Sequence, residues 1–133
     1  MPVLIFTELD NGSLRKSSLE AVFYGAKVAQ MLGTTATALV IGPAEAAELE
    51  IAGNYGATKI LHADDDRLAQ TNNMAYASVL AAAAQQEGAK VLVIAKSALG
   101  DAVAARAAGK LKAGLVSNVV DLPEGDAATL RVK

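Results

Sequence analysis

The chain has 133 residues, a formal net charge of −2, 53% hydrophobic residues and no cysteine. That length suits one core-forming domain; the mixed, slightly acidic charge excludes a nucleic-acid footprint, and the missing thiols exclude disulfides, thiol catalysis and cysteine-based metal sites. Only 4% of residues are aromatic and none is tryptophan, which argues against a base-stacking or sugar-binding platform, and no apolar run reaches the length of a membrane span.

The first apolar run, residues 3–9, reads as a strand that begins at once, with no leader ahead of it, and so predicts a cytoplasmic rather than secreted protein. Asp10-Asn11-Gly12-Ser13 follows as a hairpin turn signal, and Glu8 before it is either a carboxylate of that turn or a contact residue. A helix is expected over 18–32, a strand over 35–41 and a second helix over 44–54. Gly42-Pro43 between them lacks the spacing that wraps backbone N–H groups around phosphates. Another strand is expected over 59–63, a helix over 73–87, a strand over 91–95, a helix over 101–112 and a strand over 115–122. Gly33, Gly56, Gly88 and Gly114 fall where these helices should stop. The turn at residues 123–126 precedes a segment, 129–132, that reads as an antiparallel edge strand. Strands alternating with helices in this way predict βαβ units and an α/β fold, with a mostly parallel sheet between helix layers.

His62, the only histidine, stands close to Asp64, Asp65 and Asp66. Four ligands within five residues converge poorly on a metal, so these carboxylates are expected to cap a solvated turn. Asn72 and Asn73 read as caps for the helix after them. No G-x-G-x-x-G follows any strand, and no nucleophile has a base near it in sequence, so no catalytic residue and no metal ligand is expected.

Residues 91–122 carry the most information. The continuously apolar 91–95 suits a strand covered on both faces, and Ser97 to Gly100 then falls at its carboxyl end, where open α/β sheets present functional loops. Ser97 and the helix-start N–H groups suit an anion or a partner, Lys96 adds a charge, and a serine helix cap is the simpler reading of the same pattern. Arg106 and Lys110 sit i, i+4 on the Ala-rich helix. The candidate anion or partner residues are thus Ser97, Gly100 and Arg106.

These elements resemble, in order, the amino-terminal domain of electron transfer flavoprotein alpha subunits. The resemblance rests on Val3 to Phe6 followed by Glu8, Gly12, Leu14 and Leu19-Glu20. It continues with Tyr55-Gly56-Ala57 before Lys59-Ile60-Leu61, then Ser97-Ala98-Leu99-Gly100, Arg106 in its alanine-rich helix, and Ala113-Gly114-Leu115-Val116-Ser117-Asn118-Val119. It spans almost the whole chain. Family members commonly have Arg-Asp after the loop glycine and Pro before the helix arginine; here Asp101-Ala102 and Ala105-Arg106 stand there, and one positive charge of the loop is missing.

The resemblance implies a three-layer α/β/α fold similar to adenine nucleotide alpha hydrolases, with residues 1–133 forming one domain. It implies a parent αβ heterodimer that carries electrons from dehydrogenases through one FAD, with AMP in the beta subunit. The FAD-binding carboxyl-terminal domain would lie outside this chain, leaving here a scaffold that docks the beta subunit, holds no cofactor and catalyses nothing. The alternative is a stand-alone nucleotide-binding regulator similar to universal stress proteins, whose G-x-x-G and following G-[ST] find only Gly100, Gly109 and Gly114 at other spacings.

Overall fold

The structure, a computed structural model, describes residues 2–111 and, as backbone, residues 124–125 and 130–131. Strand β1 (Val3–Thr7) leads into a small hairpin, β2 (Leu9–Asp10) and β3 (Ser13–Leu14). Helix α1 (Lys16–Met31), strand β4 (Ala36–Ile41), helix α2 (Ala46–Asn54) and strand β5 (Lys59–Ala63) follow. A 3-10 turn (Asp66–Leu68), helix α3 (Asn73–Glu87), strand β6 (Val91–Ile94) and helix α4 (Ala98–Leu111) come next, then β7 (Glu124–Gly125) and β8 (Leu130–Arg131).

Four strands form a sheet in the order β5-β4-β1-β6, every pair parallel. Alternation along the strands builds the layers, because successive side chains of a strand face opposite ways. Val3 and Ile5 of β1, with Ala36, Ala38 and Val40 of β4, pack against Ala21, Val22, Val28 and Ala29 of α1 and Ala52 of α2. Leu4 and Phe6, with Leu39 and Ile41, face Tyr76, Ala77, Leu80 and Ala84 of α3 and Val103 and Ala107 of α4. The expected α/β/α sandwich is therefore present. Small residues bring the helices close: a Cβ on Gly25 of α1 would lie 2.5 Å from Ile5 Cγ1. On the other face Phe6 and Tyr76 meet edge-on with centroids 6.4 Å apart, a contact worth about 0.5–1.5 kcal/mol beyond its area. The Tyr76 hydroxyl donates to the Leu68 carbonyl at 2.6 Å, and burial pushes the phenol pKa up.

The first strand ends earlier than its apolar run. Leu9 pairs with Leu14 and Asp10 with Ser13 around Asn11-Gly12, both at positive φ (53° and 84°), which is the geometry of a tight two-residue hairpin turn. The hairpin lifts the chain off the sheet at Glu8. Gly33, Gly56 and Gly88 all have positive φ at or just past helix ends, and the Asn72 side chain caps α3 by accepting from Ala75 N at 3.0 Å. Strand β6 is half-buried rather than covered throughout, since among the described residues it pairs only with β1. Glu124 and Gly125, expected in a turn, lie in β7 and pair with β8, the pair forming a sheet of its own. Gly114 and the strand expected over 115–122 lie outside the described residues. No helix among the described residues is long and apolar enough to cross a membrane.

Candidate functional site

The sheet order dictates where a site can form. From β1 the chain moves to β4 on one side, and it later returns to β6 on the other, so the carboxyl ends of β1 and β6 flank the topological switch point. In open α/β sheets that crevice is the usual ligand position. Here Glu8 leaves the end of β1 and Ser97 leaves the end of β6, and the two side chains meet.

Ser97 Oγ donates to Glu8 Oε2 at 2.8 Å, and the Gly100 N–H donates to Ser97 Oγ at 2.8 Å. The Asp101 N–H bonds the Ser97 carbonyl at 2.8 Å, which is the first turn of α4. The helix therefore begins about one turn before the expected residue 101, with Ser97 as its cap and Gly100 in its first turn. From sequence Gly100 reads as a loop glycine because it follows the carboxyl end of a strand; its constraint in the structure is packing. A Cβ there would run into the Ala95 carbonyl oxygen and stand 3.0 Å from Ser97 Oγ.

Glu8 is 5% exposed and held at three points. Its N–H donates to Ser18 Oγ at 2.8 Å, its carbonyl accepts from Arg15 N at 3.0 Å, and its carboxyl accepts from Ser97. Ser18, fully buried at the start of α1, carries no signal in the sequence, being one of two adjacent serines before an apolar run. Glu8 does carry one, a carboxylate directly behind five buried strand residues; its partner is invisible until the sheet order puts β6 beside β1.

Of the three candidate residues, the structure brings Ser97 and Gly100 together and leaves Arg106 apart. Arg106 is exposed on α4, and nine residues separate it from Ser97, about 13 Å along a helix axis. Lys96 is paired: its Nζ donates to Asp101 Oδ2 at 2.9 Å. The His62 Nε2 lies 2.7 Å from the Gly42 carbonyl, and Asp65 caps the 3-10 turn through Arg67 N at 2.9 Å. Among the described residues no group of histidines and acids is arranged to hold a metal ion.

A diphosphate at the start of α4 would meet the Glu8 carboxyl, and the serine hydroxyl that would greet it is already donating. What the fold and the site define is a doubly wound α/β domain in which a Glu8–Ser97 hydrogen bond joins the ends of β1 and β6 at the switch point.

The chain belongs to the electron transfer flavoprotein domain family, whose model matches residues 3–133. It is 30% identical to the electron transfer flavoprotein subunit alpha of Clostridium acetobutylicum, over 90% of this chain and 36% of that protein. It is likewise 30% identical to protein FixB of Clostridium saccharobutylicum, over 97% and 40%, and 33% identical to the subunit alpha of Mycobacterium tuberculosis, over 92% and 38%. The chain thus spans well under half the length of these relatives.

Proposed function

We propose that this chain is the amino-terminal domain of an electron transfer flavoprotein alpha subunit and acts as the scaffold that packs against the beta subunit. The observation that carries this reading is the lopsided coverage: the similarity to the Clostridium acetobutylicum alpha subunit takes in 90% of this chain but only 36% of that protein. In this reading the FAD is held by a second domain, AMP by the beta subunit, and dehydrogenases donate electrons to the whole cytoplasmic complex. The flavin supplies the redox chemistry and the protein supplies position and electrostatics. The Glu8–Ser97 bond at the switch point supports the division, since the carboxylate would repel a phosphate there and the serine hydroxyl is already donating to it. Ser97 and Gly100 then shape the start of α4, Arg106 faces a partner, and no residue here is catalytic.

Calorimetric titration of the chain with FAD, AMP and ATP, and then with a beta subunit encoded in the same genome, tests this. Silence with the nucleotides and binding to the beta subunit is the expected result. Tight nucleotide binding by the chain alone would overturn the scaffold reading and favour the stand-alone regulator.

A further inference from the structure

Asn11 is followed by glycine, and no other asparagine in the chain is: Tyr55, Asn73, Met74 and Val119 follow the other four. The pair forms the tip of the β2–β3 hairpin, with Asn11 exposed and Gly12 at φ 84°. A Cβ built on Gly12 would meet nothing within 4 Å, so the space around its backbone is open. Among the described residues neither the Asn11 side-chain amide nor the Gly12 N–H has a hydrogen-bond partner. The Asn72 amide, by contrast, is engaged as the cap of α3. The hairpin that holds the tip is two residue pairs long, Leu9 with Leu14 and Asp10 with Ser13, and a ladder this short opens at little cost.

We propose that Asn11 is a site of spontaneous isoaspartate formation, with water as the only co-reactant. When the tip opens, the Gly12 nitrogen bonds to Asn11 Cγ, the Cγ–Nδ2 bond breaks, and ammonia leaves with the proton that the Gly12 nitrogen gives up. Water then opens the five-membered imide. Attack at Cγ gives aspartate; attack at the Asn11 backbone carbonyl leaves the chain running through Cβ and Cγ, as isoaspartate, with the α-carboxylate as its side group. Nothing is oxidised or reduced. Turn type and loop length fix the register of a hairpin, so the extra backbone atom works against the Leu9–Leu14 pairing. Two further contacts hang on that pairing: Leu14 N donates to Glu48 Oε1 at 2.8 Å, and Arg15 N donates to the Glu8 carbonyl at 3.0 Å. Isoaspartate at residue 11 therefore loosens the path from β1 into α1, and Leu14, 8% exposed, is the core residue it reaches first.

The test is incubation of the whole chain at neutral pH, folded and in unfolding urea, followed by peptide mapping that separates aspartyl from isoaspartyl forms. Conversion is expected at Asn11 ahead of the other four asparagines, at a folded-state rate within about a hundredfold of the unfolded one, as local opening requires. Asn11→Gly keeps a turn that accepts positive φ at both residues, and is expected to remove the early phase of ammonia release. The purified isoaspartyl form is expected to unfold at a lower urea midpoint than fresh chain. Asn11→Asp, with the new charge on a normal backbone, is expected to keep the fresh midpoint. Conversion at Asn11 no faster than at the other asparagines, or slowed by folding more than about a hundredfold, would overturn the site. An isoaspartyl form as stable as fresh chain, or an equal loss in Asn11→Asp, would overturn the link from the extra backbone atom to Leu14 and Glu8.

Discussion

Glu8 and Ser97 show how much one hydroxyl can be asked to do. Ser97 Oγ accepts from the Gly100 N–H as a helix cap and donates to a carboxyl that is 5% exposed. Ser97→Ala removes both bonds together. The lost cap costs about 1 kcal/mol, and the carboxyl oxygen left without its donor costs about 1–3 kcal/mol more. The expected destabilisation is about 2–4 kcal/mol, read as a lower urea midpoint at unchanged slope, and Ser97→Thr should recover most of it. A second residue-scale expectation concerns acid. The Arg67 side chain, bonded to Asp65 at 2.7 Å through its guanidinium, and then the Arg67 backbone N–H, hold the Asp65 pKa down from 3.8 to about 2. A carboxyl depressed in the folded state contributes stability that is complete above its unfolded pKa and is lost as pH falls through the folded one. The window is therefore from 3.8 down to about 2. Carboxyl chemical shifts followed by NMR should place the Asp65 midpoint near the lower figure, and Arg67→Ala should return it toward the upper one.

At the scale of elements, the apolar periods made the order of strands and helices legible. Runs such as Val3 to Phe6, buried throughout, leave no competing pattern, and Asn11-Gly12 and Asn72 announce their hairpin and cap because those geometries favour few other residues. Boundaries were legible only where local chemistry sets them. The sequence places the start of α4 at residue 101 because Ser97 to Gly100 reads as a loop at the end of its strand, whereas the place of Gly100 is decided by the Ala95 carbonyl, a neighbour outside the helix. Strand β1 was read too long for a related reason: Leu9 is as apolar as the residues before it, and only its pairing with Leu14 assigns it to the hairpin. The Glu8–Ser97 contact, 89 residues apart, belongs to a different class of information. Each residue was visible at the end of its own strand; that the two ends adjoin follows from sheet order, which alternating β and α segments do not encode.

For the molecule as a whole, stability and assembly fall on different residues. The switch-point contact fastens β1 to α4 from inside, while Arg106, on the same helix, touches no acid among the described residues and faces outward. Replacing an exposed side chain that has no ion-pair partner among the described residues breaks no described internal contact, so Arg106→Glu is expected to shift unfolding by no more than about 0.5 kcal/mol. At about 13 Å along α4 from Ser97, its effect should also add to that of Ser97→Ala within about 0.5 kcal/mol. Urea unfolding of the two single variants and the double variant checks both statements. A large coupling would mean that the outer face of α4 and the crevice at its start respond as one unit. Additivity would mean that α4 serves two purposes independently, holding the sheet with its first turn and facing outward with its middle.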